Sequence, residues 1–174
     1  MSGKRRENIL QKLSTTSTPM SGSDLAKDLG VSRQVIVQDV AILRAKGYDI
    51  MATPQGYLLP QGEAANQAVL AVKHQAQDTE DELNIMVDHG LKVLDVIVEH
   101  PLYGELRGCL MMRSRQDVKR FIEALAKEEA TLLSSLTDGV HLHSVEYARL
   151  EDLEEARQAL AHRGLLATDE DSII

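Results

Sequence analysis

Residues 30–47 have the sequence GVSRQVIVQDVAILRAKG, and this stretch decides the fold of the N-terminal part of the chain. Gly30 suits the left-handed residue that ends one helix, and Ser32 suits the N-cap of the next helix. The helix that follows ends before Gly47. Two helices joined by so short a glycine-containing turn are typical of a helix-turn-helix, which we predict here.

The helix that begins after Ser32 has two different faces. Ile36, Val40 and Leu43 recur at helical spacing, which predicts that this side packs against other helices. The other side has no acidic residue, and its polar side chains suit the base edges of a DNA major groove. A merely solvated face is the alternative. The predicted DNA contacts on this helix and its cap are Ser32, Arg33, Gln34, Val37, Gln38 and Arg44.

The flanking sequence completes a winged helix-turn-helix over residues 1–60. Apolar residues at helical spacing predict two further helices before the turn, the second with Ser23 as its N-cap. After the third helix, two short strand-like pieces surround the turn sequence TPQG at residues 53–56. This pattern predicts a β-hairpin of the size of a wing. We expect Gln55 and Tyr57 to contact DNA from it.

Charge is distributed unevenly along the 174 residues, whose net charge is −8. Residues 1–60 contain eight Lys and Arg against five Asp and Glu, whereas residues 61–174 contain eleven against 22. A basic part joined to an acidic part is typical of a nucleic-acid-binding domain attached to a domain with another task. The polar stretch QGEAANQ at residues 61–67 predicts a linker, which leaves residues 68–174 as the second domain.

The composition is that of a soluble globular protein. No apolar run approaches the length needed to span a membrane, and the basic start is not followed by an apolar signal segment. We therefore expect a cytoplasmic protein without a membrane partner.

The second domain alternates between strand and helix patterns in the order βαββαβα. This order predicts an α/β (α+β) open-faced sandwich of the phosphocarrier-like or ferredoxin-like kind, with helices on one face of an antiparallel or mixed sheet. The order of the strands within the sheet stays open.

Two histidines stand close together in the last predicted strand, GVHLHSVEYA at residues 139–148. His141 and His143 share one face of that strand, because side chains two residues apart point the same way. Val140 and Leu142 alternate with them, so we expect the histidines on the open face of the sheet. The pair could be metal ligands, a catalytic pair, or half-exposed histidines without a special task.

Further metal ligands would have to come from elsewhere in the domain, and the candidates are His74, His89, His100 and nearby acids. His74 ends the first predicted strand, and Glu82 lies eight residues further on. On one continuous helix the two would be about 12 Å apart, but a chain bend before Thr79 would let them converge. The alternative for Glu82 is a capping box with Thr79, in which its carboxylate bonds to the helix backbone.

Four stretches resemble the niacin-responsive transcriptional repressors, which join a winged helix to a 3H domain of phosphocarrier-like fold. The resemblance covers essentially the whole chain, and together its motifs are highly specific. The stretches are SRQVIVQDVAILRAKGYDIMATPQGYLL (32–59), VKHQAQDTEDELNIMVDHG (72–90), EHPLYG (99–104) and SLTDGVHLHSVE (135–146).

The resemblance implies one divalent metal per chain, held by His74, Glu82, His141 and His143. Imidazole and carboxylate ligands suit nickel, zinc, iron or manganese. It also implies a homodimer that binds double-stranded, palindromic operator DNA, with nicotinic acid as co-repressor of genes for niacin uptake or NAD synthesis. His100, in EHPLYG, could contact the effector or orient a metal ligand, and a turn-stabilising role is the alternative.

Two other functions remain possible on the residues alone. A metal with an open coordination position could activate water, as in a hydrolase acting on a small pyridine substrate. The fold also suggests a phosphocarrier-like regulatory protein with a phosphorylated histidine. No catalytic acid or base stands at a recognisable spacing, so we predict a regulator and not an enzyme.

Overall fold

The computed structural model describes residues 2–61 and 66–168. The chain divides into two compact units, residues 1–63 and 64–174. None of the described helices is long and apolar enough to cross a membrane.

The N-terminal unit contains three helices and a two-stranded antiparallel hairpin. Gly30 adopts a left-handed conformation, with a φ of 65°, between the second and third helices. Ser32 caps the third helix, as predicted, but the second is capped by Ser21 and not by Ser23. The Ser21 hydroxyl accepts the N–H of Asp24. The elements are α1 (Ser2–Ser14), α2 (Gly22–Leu29), α3 (Arg33–Ala45), β1 (Met51–Thr53) and β2 (Gly56–Leu58).

The core of this unit lies between the three helices. The predicted apolar face of α3 is buried there, while most of the opposite face is exposed. The hairpin is attached through Tyr57, whose backbone exchanges two hydrogen bonds with Met20. The buried core residues are Ile9, Leu13, Leu25, Ala26, Ile36, Val40, Leu43 and Ile50.

The C-terminal unit has the predicted order βαββαβα, with two additional short 3-10 turns. Its four strands form one sheet in the order β3-β6-β4-β5, and every neighbouring pair is antiparallel. The elements are β3 (Asn66–Lys73), η1 (Ala76–Asp78), α4 (Thr79–Asp88), β4 (Lys92–His100), β5 (Gly104–Met112), α5 (Arg115–Lys127), η2 (Leu133–Thr137), β6 (Val140–Tyr147) and α6 (Leu150–His162).

The histidines of β6 lie on the face of the sheet that the helices cover, so their predicted place on the open face is wrong. Val145 shares their face and is completely buried in the core with residues of α4, α5 and α6. Leu142, on the other face, is only half-buried. Both imidazoles make polar contacts inside the unit, which buried polar groups need. Nδ1 of each ring lies against a backbone carbonyl, and Nε2 of His141 lies against Glu82 on α4.

Candidate metal centre

Three parts of the C-terminal unit bring the four predicted metal ligands together. His74 follows β3, Glu82 lies in the first turn of α4, and His141 and His143 lie on β6. The predicted bend before α4 is the turn η1, which lets Glu82 return towards His74. All four residues are buried, with 7%, 0%, 4% and 3% of their surface exposed in chain order.

The Glu82 carboxylate is the centre of this cluster. Its Oε2 lies 2.6 Å from Nε2 of His74, and its Oε1 lies 3.1 Å from Nε2 of His141 and 2.9 Å from Nε2 of His143. One donor atom from each of His74, Glu82 and His141 lies within 4.8 Å of the other two. These atoms are close enough to share one ion.

Each of the three imidazoles is oriented through its other nitrogen, because every Nδ1 lies against a backbone carbonyl. A carbonyl oxygen only accepts hydrogen bonds, so Nδ1 must carry the proton. In a neutral ring the lone pair is then on Nε2, which faces Glu82. The carbonyls belong to Gln75, Gly139 and Asp95, at 2.7, 2.9 and 2.6 Å from Nδ1 of His74, His141 and His143 in that order.

In this arrangement hydrogen-bond acceptors face one another, because three Nε2 lone pairs lie against the oxygens of Glu82. Three neutral rings direct lone pairs at a carboxylate that also only accepts, so the cluster is favourable only when the rings take up protons or a cation lies between its members. His143 shows the mismatch most clearly, since its buried Nε2 makes no aligned hydrogen bond despite lying 2.9 Å from Oε1. Three imidazole nitrogens and a carboxylate, each ring held by a carbonyl, fit a divalent transition metal.

The cluster also determines the charge of its members. Burial by itself would raise the pKa of Glu82, but the neighbouring imidazoles hold that pKa well below its usual range. Burial would lower the pKa values of His74 and His143, but the Glu82 carboxylate raises both above the usual value. The carboxylate therefore stays ionised and attracts either protons onto the rings or a metal ion.

Gly139 fixes the positions of two of the four predicted ligands at once. Its carbonyl accepts the backbone N–H of His74 at 3.3 Å and the Nδ1–H of His141 at 2.9 Å. Its φ is 89°, and a Cβ at this position would lie 2.2 Å from the carbonyl oxygen of His74. Only glycine permits this close approach of the two chain segments.

A bulge in β4 exposes the carbonyl that orients His143. The register between β4 and β6 shifts between Val93 and Ile97, and Asp95 lies in the irregular part. Its buried carboxylate accepts the backbone N–H of Ser144 and an Arg107 N–H, both at 2.8 Å. Sequence analysis missed Asp95. An acid inside the apolar run VLDVIV was the available signal, because a buried carboxylate needs partners.

The alternative for Glu82, a capping box with Thr79 at the start of α4, is wrong. The Thr79 hydroxyl has no hydrogen-bond partner among the described residues, and the Glu82 carboxylate contacts the histidines and not the helix backbone. The two residues lie one helical turn apart, so both face the sheet. The sequence pattern of a capping box here belongs to the central carboxylate of the cluster and a neighbouring hydroxyl.

A cavity of about 30 Å³ adjoins the cluster. Glu82, His141 and His143 form one part of its wall, and most of the remaining wall is apolar. Three consecutive residues around the start of η2 close one side. The lining residues outside the cluster are Thr79, Leu83, Val96, Leu110, Phe121, Leu132, Leu133 and Ser134.

His100 is not brought to this cluster. It ends β4, and its Nδ1 accepts the N–H groups of Leu102 and Tyr103 at 3.1 and 3.3 Å. Its ring also packs against the ring of Tyr103, with centroids 5.0 Å apart. These contacts correspond to the turn-stabilising alternative. Among the described residues, no contact joins His100 to the cluster.

The predicted DNA-contacting residues of the N-terminal unit lie mostly on its surface. Those on α3 and its cap are all exposed, whereas Gln55 and Tyr57 in the hairpin are half-buried. Asp39 is the only acid in α3, and it is buried and accepts hydrogen bonds from Arg5 and Arg6. The exposed face of α3 is therefore free of negative charge up to its C-terminus.

Both units match known protein families. Residues 67–169 match the 3H domain and residues 5–58 an HTH domain. The chain is 41% identical to the probable transcription repressor NiaR of Thermotoga maritima, over 94% of this chain and 93% of that protein. It is 40% identical to the transcription repressor NadR of Bacillus subtilis, over 97% and 96% of the two chains. The chain belongs to the NiaR/NadR family of transcription repressors.

Family membership confirms the predicted combination of a helix-turn-helix and a 3H domain. Because both relatives are named as transcription repressors, it also confirms the prediction of a regulator over that of an enzyme. The geometry of the two histidines also argues against a phosphocarrier. His141 and His143 are buried against an ionised carboxylate, which would repel a phosphoryl group and leave no access for its donor.

Proposed function

We propose that this repressor is metal-dependent and responds to nicotinic acid, and that it binds palindromic operator DNA as a homodimer. The genes it controls would be those for niacin uptake or NAD synthesis, in the cytoplasm. The observation that carries the proposal is the convergence of three Nε2 atoms on Glu82, with every Nδ1 held by a backbone carbonyl.

His74, Glu82, His141 and His143 would hold the metal. A divalent ion bound there supplies a positive charge and a coordination position for an anionic ligand. The carbonyls of Gln75, Gly139 and Asp95 keep the rings in the tautomer that binds metal. Nickel, zinc, iron and manganese all suit this donor set.

The adjoining cavity supports a small aromatic acid as effector. Its wall combines the polar cluster with leucines, a valine and Phe121, which suit a flat ring that carries a carboxylate. At about 30 Å³ it is smaller than the roughly 150 Å³ that accommodates a six-membered ring in a protein interior. Binding of nicotinic acid would therefore displace the neighbouring segment around Leu133 and Ser134.

The effector would act by changing the placement of two winged helices in a dimer. Palindromic operators match two-fold symmetric proteins, and the spacing of two α3 helices decides their fit to the half-sites. Arg33, Gln34 and Gln38 are exposed on α3 and suit base edges in the major groove. A ligand that favours one placement shifts the population towards it.

The test uses operator DNA selected from a random duplex pool by the full chain. Its affinity for the protein is measured by fluorescence anisotropy, with and without nicotinic acid, after loading with each of the four metals and after chelation. Nicotinic acid should tighten binding by about 5- to 150-fold with at least one metal, and not after chelation.

Unchanged operator affinity with all four metals would reject nicotinic acid as the co-repressor. An equal response in the chelated protein would reject the role of the metal. Analytical ultracentrifugation of the protein–DNA complex checks the dimer, which a stoichiometry of one chain per operator would exclude. Arg33→Ala and Gln38→Ala should each weaken operator binding, whereas Lys12→Ala, a change outside α3, should leave it nearly unchanged.

A further inference from the structure

The Thr79 hydroxyl is a buried polar group that the proposed metal site does not use. Thr79 is 6% exposed and is the first residue of α4. Its Oγ1 has no hydrogen-bond partner within the described parts of the chain. Burying a hydroxyl without a partner is unfavourable, so such groups in folded proteins commonly serve a ligand or an ordered water.

Thr79 lies beside the cavity that adjoins the cluster. Thr79 lines the same cavity as Glu82, His141 and His143. It precedes Glu82 by three residues, which places the two side chains on neighbouring positions of one helix face. The hydroxyl is therefore a polar group beside the cluster, within a wall that is otherwise mostly apolar.

A second hydroxyl, that of Ser134, also lines the cavity. Ser134 belongs to η2, the segment that would have to shift before a six-membered ring could enter. Thr79 belongs to α4, which also carries Glu82. Because α4 also carries Glu82, the distance from Thr79 to a ligand bound at the cluster stays fixed. The distance from Ser134 to that ligand would change with the shift of η2.

We infer that the Thr79 hydroxyl donates a hydrogen bond to the ring nitrogen of the bound effector and makes the cavity selective for pyridine carboxylates over benzoate. This inference rests on the proposed function, because it takes the effector carboxylate to lie at the metal. An unprotonated pyridine nitrogen only accepts, and a threonine hydroxyl can donate. Benzoate has the same ring and carboxylate but leaves the hydroxyl without a partner.

The test is calorimetry on the full chain, loaded in parallel with Ni²⁺, Zn²⁺, Fe²⁺ or Mn²⁺. The ligands are nicotinic acid and benzoic acid, and the variants are Thr79→Val, which keeps the shape, and Thr79→Ser, which keeps the hydroxyl. The unmodified protein should prefer nicotinic acid by about tenfold. Thr79→Val should lose that preference through weaker nicotinic acid binding alone, while Thr79→Ser should retain most of it.

Thermal unfolding of the ligand-free variant separates binding from folding. Thr79→Val removes no hydrogen bond, so its melting temperature should equal or exceed that of the unmodified protein. If Thr79→Val keeps the tenfold preference, or loses affinity for both acids equally, the inference is wrong and the proposed function stands. If the unmodified protein binds neither acid with any of the metals, both are rejected.

Discussion

The N-terminal unit buries the carboxylate of Asp39 and the C-terminal unit that of Glu82, and the two are neutralised in different ways. In the N-terminal unit Asp39, 2% exposed, lies 2.5 Å from Arg5 Nε and 3.2 Å from Arg6 Nη1. In the C-terminal unit Glu82, completely buried, is surrounded by three imidazoles. Both carboxyls have a lowered pKa, because burial, which raises it, is outweighed by these partners.

The difference lies in what the partners can do. Arginine is cationic at every physiological pH, so Asp39 has one state, in which it fastens α3 to α1. Imidazole can be neutral or charged and can bind a metal, so Glu82 has several states. A fixed ion pair suits the element that we propose to present side chains to DNA. A cluster of histidines suits the unit that we propose to respond to a ligand.

Among substitutions of the two carboxylates, the largest expected effect is on metal binding. Glu82→Gln removes the only charged ligand of the set and should lower metal affinity by more than about 100-fold, measured by competition with a chromophoric chelator. Glu80→Gln, an exposed position on the same helix, is the matched control and should bind metal normally. A Glu82→Gln protein with unchanged affinity would show that the cluster is not the metal site.

The matching substitution in the other unit should affect folding and not metal binding. Asp39→Asn leaves two arginines without their carboxylate and should destabilise the N-terminal unit by about 2 kcal/mol in urea unfolding. Asp28→Asn removes an exposed carboxylate that pairs with Lys12, and should change stability by less than about 0.5 kcal/mol. Equal effects of the two substitutions would mean that the buried pair has no special role in this unit.

A smaller effect is expected from Asp95, which acts on the cluster only through His143. Asp95→Ala removes the carboxylate that holds the bulge to Ser144 and should lower metal affinity by about tenfold. Glu105→Ala removes the other carboxylate bound to Arg107 and is the control, with unchanged affinity expected. If both substitutions weaken metal binding alike, Arg107 and not the bulge is responsible.

Local patterns predicted most of the fold, and apart from the N-cap of α2 the errors arose where distant segments meet. Gly30, Ser32 and the spacing of Ile36, Val40 and Leu43 determine the helix-turn-helix within one short stretch. The order of strands and helices in the second unit followed from hydrophobic periodicity in the same way.

The site was less predictable because its geometry depends on strand register. The alternation of β6 correctly grouped His141 with His143, but histidine can be buried or exposed, so the choice of face failed. The bulge at Asp95 depends on how β4 pairs with β6, and nothing in the local sequence encodes that pairing. Asp39 likewise finds its partners more than thirty residues away. The bend before Thr79 made His74 and Glu82 candidates, but only the family resemblance joined them with His141 and His143 in one ligand set.

The smallest expected effect is a difference in how the two units respond to pH without metal. The raised pKa values of His74 and His143 stabilise the chelated C-terminal unit below about pH 6.5, and this contribution is lost as pH rises through those values. The lowered pKa of Asp39 stabilises the N-terminal unit above about pH 4, and this contribution is lost only as pH falls through it.

Between pH 6 and 9, approximately, calorimetry of the chelated protein should therefore show one transition that moves to lower temperature with rising pH and one that stays constant. Asp39→Asn identifies the N-terminal transition, and Glu82→Gln should abolish the movement of the other. Added metal should reverse its direction, because ligand histidines must lose protons to bind the ion. If both transitions move together in the chelated protein, the two carboxylates are neutralised alike and the distinction drawn from their partners is wrong.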